Sequence, residues 1–177
     1  MKSKDFSLDP KVVRKIATGM GIPENKEIPG VQAAASEKVR QAFIIDTKND
    51  PTGYLIVIPQ SHLKSQSKGR YTLGSESIHS IKHELGHFVE EYQDGKLPDY
   101  RNFTPKDRVV SEFNAELRAR KGTPTIEFIE GTIYQLVADY GLPANESMYL
   151  VRKESLRRGI PRSTISKAES LYRSIWE

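Results

Sequence analysis

Residues 75–92 read Ser-Glu-Ser-Ile-His-Ser-Ile-Lys-His-Glu-Leu-Gly-His-Phe-Val-Glu-Glu-Tyr. At 100° per residue, Ile78, Ile81, Leu85, Phe88, Val89 and Tyr92 fall on one stripe. The spacing predicts a helix capped by Ser75 and running to about Tyr92, which buries this stripe. Asp94-Gly95 stops it and Pro98 follows. His83 and His87 fall off the stripe at i and i+4, so both imidazoles can reach one metal ion. Glu84 lies beside them, turned so that it can reach a water at that ion without competing for it. Gly86 leaves room for a close neighbour on the metal face. This is the sequence geometry of a zinc helix.

Two histidines do not complete such a site, which usually has three protein ligands and a water. The chain has four histidines, and the other two, His62 and His79, lie upstream. Patterns that place a third histidine soon after the second are therefore excluded, and a later carboxylate is expected. Ser111-Glu112-Phe113-Asn114-Ala115-Glu116 supplies two. Glu112 and Glu116 share a face beside Val109, Phe113 and Leu117. One can bind the metal while the other accepts a ring proton from a ligand histidine. The bland alternative is a pair of surface ion pairs, Arg108–Glu112 and Glu116–Arg120, both at i,i+4. His79, one turn before His83, is expected to face solvent. His62 carries no signal.

Upstream, Asp9-Pro10 caps a short helix through Val12, Val13 and Ile16, ending at Gly19 and Gly21. A loop follows, and the small residues Val31–Ala35 are read as the start of a second helix. Residues 42–45 and 54–58 are β-rich runs separated by turn formers, which predicts a hairpin. A short strand is expected at Tyr71–Leu73. Downstream, Thr104-Pro105 opens a helix with Asp107 in its first turn and basic residues in its last. Thr125–Tyr140 makes another, Asn145 is read as the cap of one running to about Arg158, and Ser163 begins the last. The expected class is α+β: one small domain over 1–177, with a β-rich N-terminal segment and a mostly helical C-terminal half. Its core lies at about 36–140, with a helical extension over 141–177.

At 177 residues the chain can bury a real core. It has no cysteine, so a thiolate metal site and a thiol nucleophile are excluded. No run approaches a membrane span. The start, MKSKDFSLDPKVV, lacks the apolar core of a secretory signal, so a cytoplasmic location is expected. Net charge is +4, with Arg152, Lys153, Arg157, Arg158 and Arg162 clustered near the end. That cluster reads first as a solvated face, and second as a weak nucleic-acid contact.

At His83-Glu84-x-x-His87 and Glu112-x-x-Ala115-Glu116 the chain resembles the gluzincins, the thermolysin-like zinc metallopeptidases. The second run looks most like the lethal factor-like domains of bacterial toxins and phage proteins. The resemblance covers about residues 75–120 and implies a zincin-like fold. It implies that His83, His87 and Glu112 hold Zn2+, that Glu84 is the general base, and that Glu116 supports a ligand histidine. It further implies a protein or peptide substrate held along an edge strand, for which Tyr54–Ile58 is the candidate. The family's transition-state donor has no motif match; Tyr100, Tyr134 and His79 are the candidates. A phage-encoded chain would work in the host cytoplasm or the virion. The rival expectations are a metal-binding module that does not cut, and a protease acting on nucleic-acid-bound proteins.

Overall fold

The computed structural model describes residues 6–34, 36, 38–39, 41–66, 70–91 and 102–177. The chain divides into two compact units, Met1–Lys96 and Leu97–Glu177. The α+β class is as expected; among the described residues the first unit carries six strands and the second four helices.

The first unit opens with β1 (Phe6–Ser7) and α1 (Pro10–Gly19). The Asp9 side chain accepts from Lys11 N–H, and Pro10 fits the first helical position because it lacks an N–H. Three strands then follow, β2 (Gly30–Ala33), β3 (Phe43–Asp46) and β4 (Tyr54–Ile58), and with β1 they form a four-stranded sheet in the order β1-β2-β4-β3. The β3–β4 hairpin is antiparallel, as its turn formers predict. Gly53 sits at φ 79°, in the left-handed region that favours glycine. Asp50 fixes the turn by accepting from Thr52 N–H at 2.9 Å, and its other oxygen accepts from Gly30 N–H at 2.8 Å. A Cβ on Gly30 would stand 2.9 Å from that oxygen, so a side chain there would push the turn off β2.

Two expectations are corrected in this sheet. Val31–Ala33 is strand, not the start of a helix: β2 runs parallel to β4, Val31 opposite Ile56 and Ala33 opposite Ile58. Pairing with an apolar neighbour outweighs the helix propensity of alanine. Second, β4 is no edge strand, because β2 and β3 flank it. Ile56 and Ile58 are fully buried, on the same face as Tyr54. Tyr54 meets Phe88 edge-to-face with ring centroids 6.1 Å apart, so this face looks onto the histidine helix. At the end of the sheet, β3 turns Phe43 and Ile45 the other way, each 39% exposed, opposite Val57 and Leu55.

A short 3-10 turn (Gln60–His62) leads to the antiparallel pair β5 (Leu63–Gln66) and β6 (Arg70–Leu73), the latter covering the strand expected near Tyr71. The unit closes on α2 (Ser75–Glu91), with Ser75 already inside the helix. The Ser77 hydroxyl donates to the His62 carbonyl, tying the first turn of α2 to the 3-10 turn. The expected stop at Asp94-Gly95, Tyr92 on the apolar stripe and Tyr100 lie outside the described residues.

The second unit is helical: α3 (Pro105–Ala119), α4 (Ile126–Tyr140), α5 (Ala144–Arg157) and α6 (Arg162–Trp176). Thr104 and Asp107 form a reciprocal capping box on α3. Thr125 caps α4, and Gly141 ends it in the left-handed conformation at φ 64°. Asn145 is not the cap of α5; Pro143 holds that place and Asn145 is the second helical residue. Val109, Phe113, Ile129, Ile133, Leu136, Val151, Ile165 and Ala168 build one core from all four helices. Phe113 and Phe128 meet edge-to-face at 5.2 Å, locking α3 to α4. Arg158 on α5 donates to the Asn114 amide oxygen on α3 at 2.6 Å. Among the described residues, no helix is long and apolar enough to cross a membrane.

Candidate metal centre

Ile81 and Leu85 are fully buried, and Phe88 and Val89 nearly so, which is the stripe the sequence predicts for α2. The turn carrying the second histidine is enclosed more widely than the helix wheel suggests. His87 is only 6% exposed and Gly86 is buried, while His83 and Glu84 are half-buried. Each histidine therefore leaves much of its hydration behind, a cost that a metal or hydrogen-bond partner must offset.

The two rings converge. His83 Nε2 and His87 Nε2 stand 3.1 Å apart, with ring centroids at 4.8 Å and planes at 75°. Two imidazole nitrogens on one tetrahedral zinc, each about 2.0–2.1 Å from it, stand about 3.3 Å apart. The observed separation is within a few tenths of an ångström of that bite. At the same distance one ring can also donate to the other, so the pair is satisfied in either state.

On α3, Glu112 is 4% exposed and Glu116 is 1% exposed. The bland alternative is half met. Arg108 Nη2 lies 2.7 Å from Glu112 Oε1, and Arg120 Nε lies 3.4 Å from Glu116 Oε1. These pairs are the i,i+4 pairs the sequence offers, yet their carboxylates are not at the surface. Among the described residues, His83, His87 and Glu112 each offer one ligand atom, and the three atoms lie within 4.8 Å of one another. Two neutral imidazoles and one carboxylate form the donor set of a zinc site that keeps a position for water. Residues of these types can hold a metal ion, and the ion that the resemblance implies is Zn2+.

The remaining candidates fall differently. His79 is half-buried, not solvent-facing as expected. His62 has its Nδ1 3.5 Å from Ser80 Oγ on α2. Tyr134 stacks on Trp176, with centroids 4.2 Å apart and planes at 26°, which holds its ring in the helical core. Tyr140, at the last position of α4, was not singled out by its sequence. Burial pushes its hydroxyl above the ordinary tyrosine range; Arg108 opposes this, and Asp139, Asp107 and Glu112 add to it. It therefore stays a proton-bearing phenol at neutral pH, within the electrostatic reach of the Arg108–Glu112 pair. The signal that finds it is the contact between α3 and α4, which periodicity does not encode.

Scans against protein-family models, curated proteins and solved structures returned no match for this chain.

Proposed function

We propose that the protein is a zinc-dependent peptidase in which His83, His87 and Glu112 hold the metal and Glu84 is the general base. The observation that carries this is the convergence of His83 Nε2 and His87 Nε2 to 3.1 Å on one helix, with Glu112 supplying a third donor. Zinc, when bound, supplies Lewis acidity: it polarises the scissile carbonyl and lowers the pKa of water beside it. The chain does the rest. The Glu84 carboxylate takes a proton from the attacking water and passes it to the leaving amine nitrogen. Glu116, one turn beyond Glu112, accepts a ring N–H of a ligand histidine and fixes its tautomer. An extended peptide pairs with β3, the strand that ends the sheet, through backbone hydrogen bonds.

The test is hydrolysis of a mixed peptide library by the native protein and by Glu84→Gln. The native protein should cut, and the variant should keep zinc while losing activity. Zinc held by a native protein that cuts no peptide would replace this reading with that of a metal-binding module.

A further inference from the structure

We propose that Arg108 is the positioning residue of the metal site, holding one oxygen of Glu112 so that the carboxylate presents the other to the ion; this rests on Glu112 being a ligand. Three observations lead there. Arg108 Nη2 reaches Glu112 Oε1 at 2.7 Å, and the two side chains keep only 24% and 5% of their exposure. The pair is therefore withdrawn from water, where most exposed i,i+4 pairs gain little. A carboxylate that binds a metal through one oxygen needs a donor on the other to set its plane, and arginine's planar fork suits that task.

The second observation is position. Arg108 is the fourth residue of α3, one turn from its N-terminus. There the helix dipole disfavours a cation. The third is order. In isolated helices an acid placed four residues before a base stabilises more than the reverse. Glu116–Arg120 has the favourable order, and Arg108–Glu112 has the unfavourable one. As a helix-stabilising device, Arg108 is in the wrong place twice. As a clamp on Glu112 it is in reach and half-buried. The phenol of Tyr140 lies in the field of the same pair, so losing the cation would also alter its surroundings.

The experiment measures zinc affinity by chelator competition in the full chain for Arg108→Gln, Arg108→Lys and Glu112→Ala. It adds the visible spectrum of each cobalt-loaded protein and the thermal stability of each metal-free one. Arg108→Gln should weaken zinc by about 10–100-fold, the usual loss when a partner behind a ligand is removed. It should also shift the cobalt bands, because the carboxylate turns. Arg108→Lys keeps the charge and loses the fork, so it should recover part of the affinity. A helix-stabilising role alone would lower metal-free stability and leave affinity and spectrum unchanged. Unchanged affinity in both Arg108 variants, with zinc lost from Glu112→Ala, would overturn this proposal and leave the peptidase reading standing. Unchanged affinity in Glu112→Ala would remove Glu112 from the site and both ideas with it.

Discussion

The helical unit buries four glutamates, and it treats them in two ways. Glu154 on α5 receives Arg157 Nε at 2.8 Å, Arg157 Nη2 at 2.6 Å and Arg158 Nε at 2.6 Å. Glu169 on α6 receives a two-pronged fork from Arg152 at 2.8 and 2.5 Å, which ties α5 to α6. In both, arginine donors occupy both carboxylate oxygens, and the geometry is that of a structural lock. Glu112 and Glu116 on α3 are buried at least as deeply, and their i,i+4 arginines approach them at 2.7 and 3.4 Å. Burial alone therefore does not mark a candidate metal ligand; what sets Glu112 apart is that one of its oxygens lies within 4.8 Å of ring nitrogens of His83 and His87. Arg158 joins the two sets, since it donates to Glu154 and also to Asn114 on α3.

The sharpest break in this contrast lies in catalysis. Glu84→Gln should lower peptide hydrolysis by several orders of magnitude with zinc content unchanged, because proton transfer from water fails. The same replacement at Glu154 should leave the rate per folded molecule close to native. Comparable rate losses in both would erase the distinction between working and locking carboxylates.

Metal affinity separates the two glutamates of α3. Glu112→Ala should abolish stable zinc binding, and Glu116→Ala should weaken it about 10–100-fold. Chelator competition on both variants reads this directly. The reverse order would make Glu116 the ligand.

Stability separates the locks. Glu154→Gln should cost on the order of 2 kcal/mol in denaturant unfolding, since charge-assisted bonds to two arginines are lost. Burial pushes the Glu154 carboxyl up, but the hydrogen bonds and charges of Arg157 and Arg158 more than offset it, leaving it below the ordinary range. A carboxyl whose folded pKa is depressed contributes stability above its unfolded pKa and loses it as pH falls through the folded value. Native stability should therefore fall below about pH 4.5 more steeply than that of Glu154→Gln. Parallel acid profiles would show that the lock contributes nothing.

The smallest effect is expected at the basic end. Arg152, Arg157 and Arg158 are all engaged with glutamates. Neutralising Arg157 and Arg158 should not change DNA retention at two salt concentrations. Tight, salt-sensitive binding that these changes abolish would assign the face to nucleic acid instead.

Much of this was legible where the information is local. The stripe of α2, the His83–His87 spacing, the helix starts at Asp9 and Thr104, and the β3–β4 turn all follow from short-range rules. Failures arose where a distant partner decides. Val31–Ala33 becomes a strand because β4 and β1 pair with it from either side. Tyr54–Ile58 carries five apolar residues in a row, the pattern of a strand covered on both faces, and that pattern argues against an edge. The two arginine–glutamate pairs of α3 could be read from spacing, but their burial is set by the helices packed around α3. Tyr140 gained its interest the same way, from the neighbouring helix.

Whether the two histidines hold a metal decides between a working site and a structural one. Elemental analysis of native protein purified without added metal or chelator, beside His83→Ala, addresses that most directly. One zinc per chain in the native protein and little in the variant is the predicted result. Zinc retained equally in both, or no metal in the native protein, would contradict it.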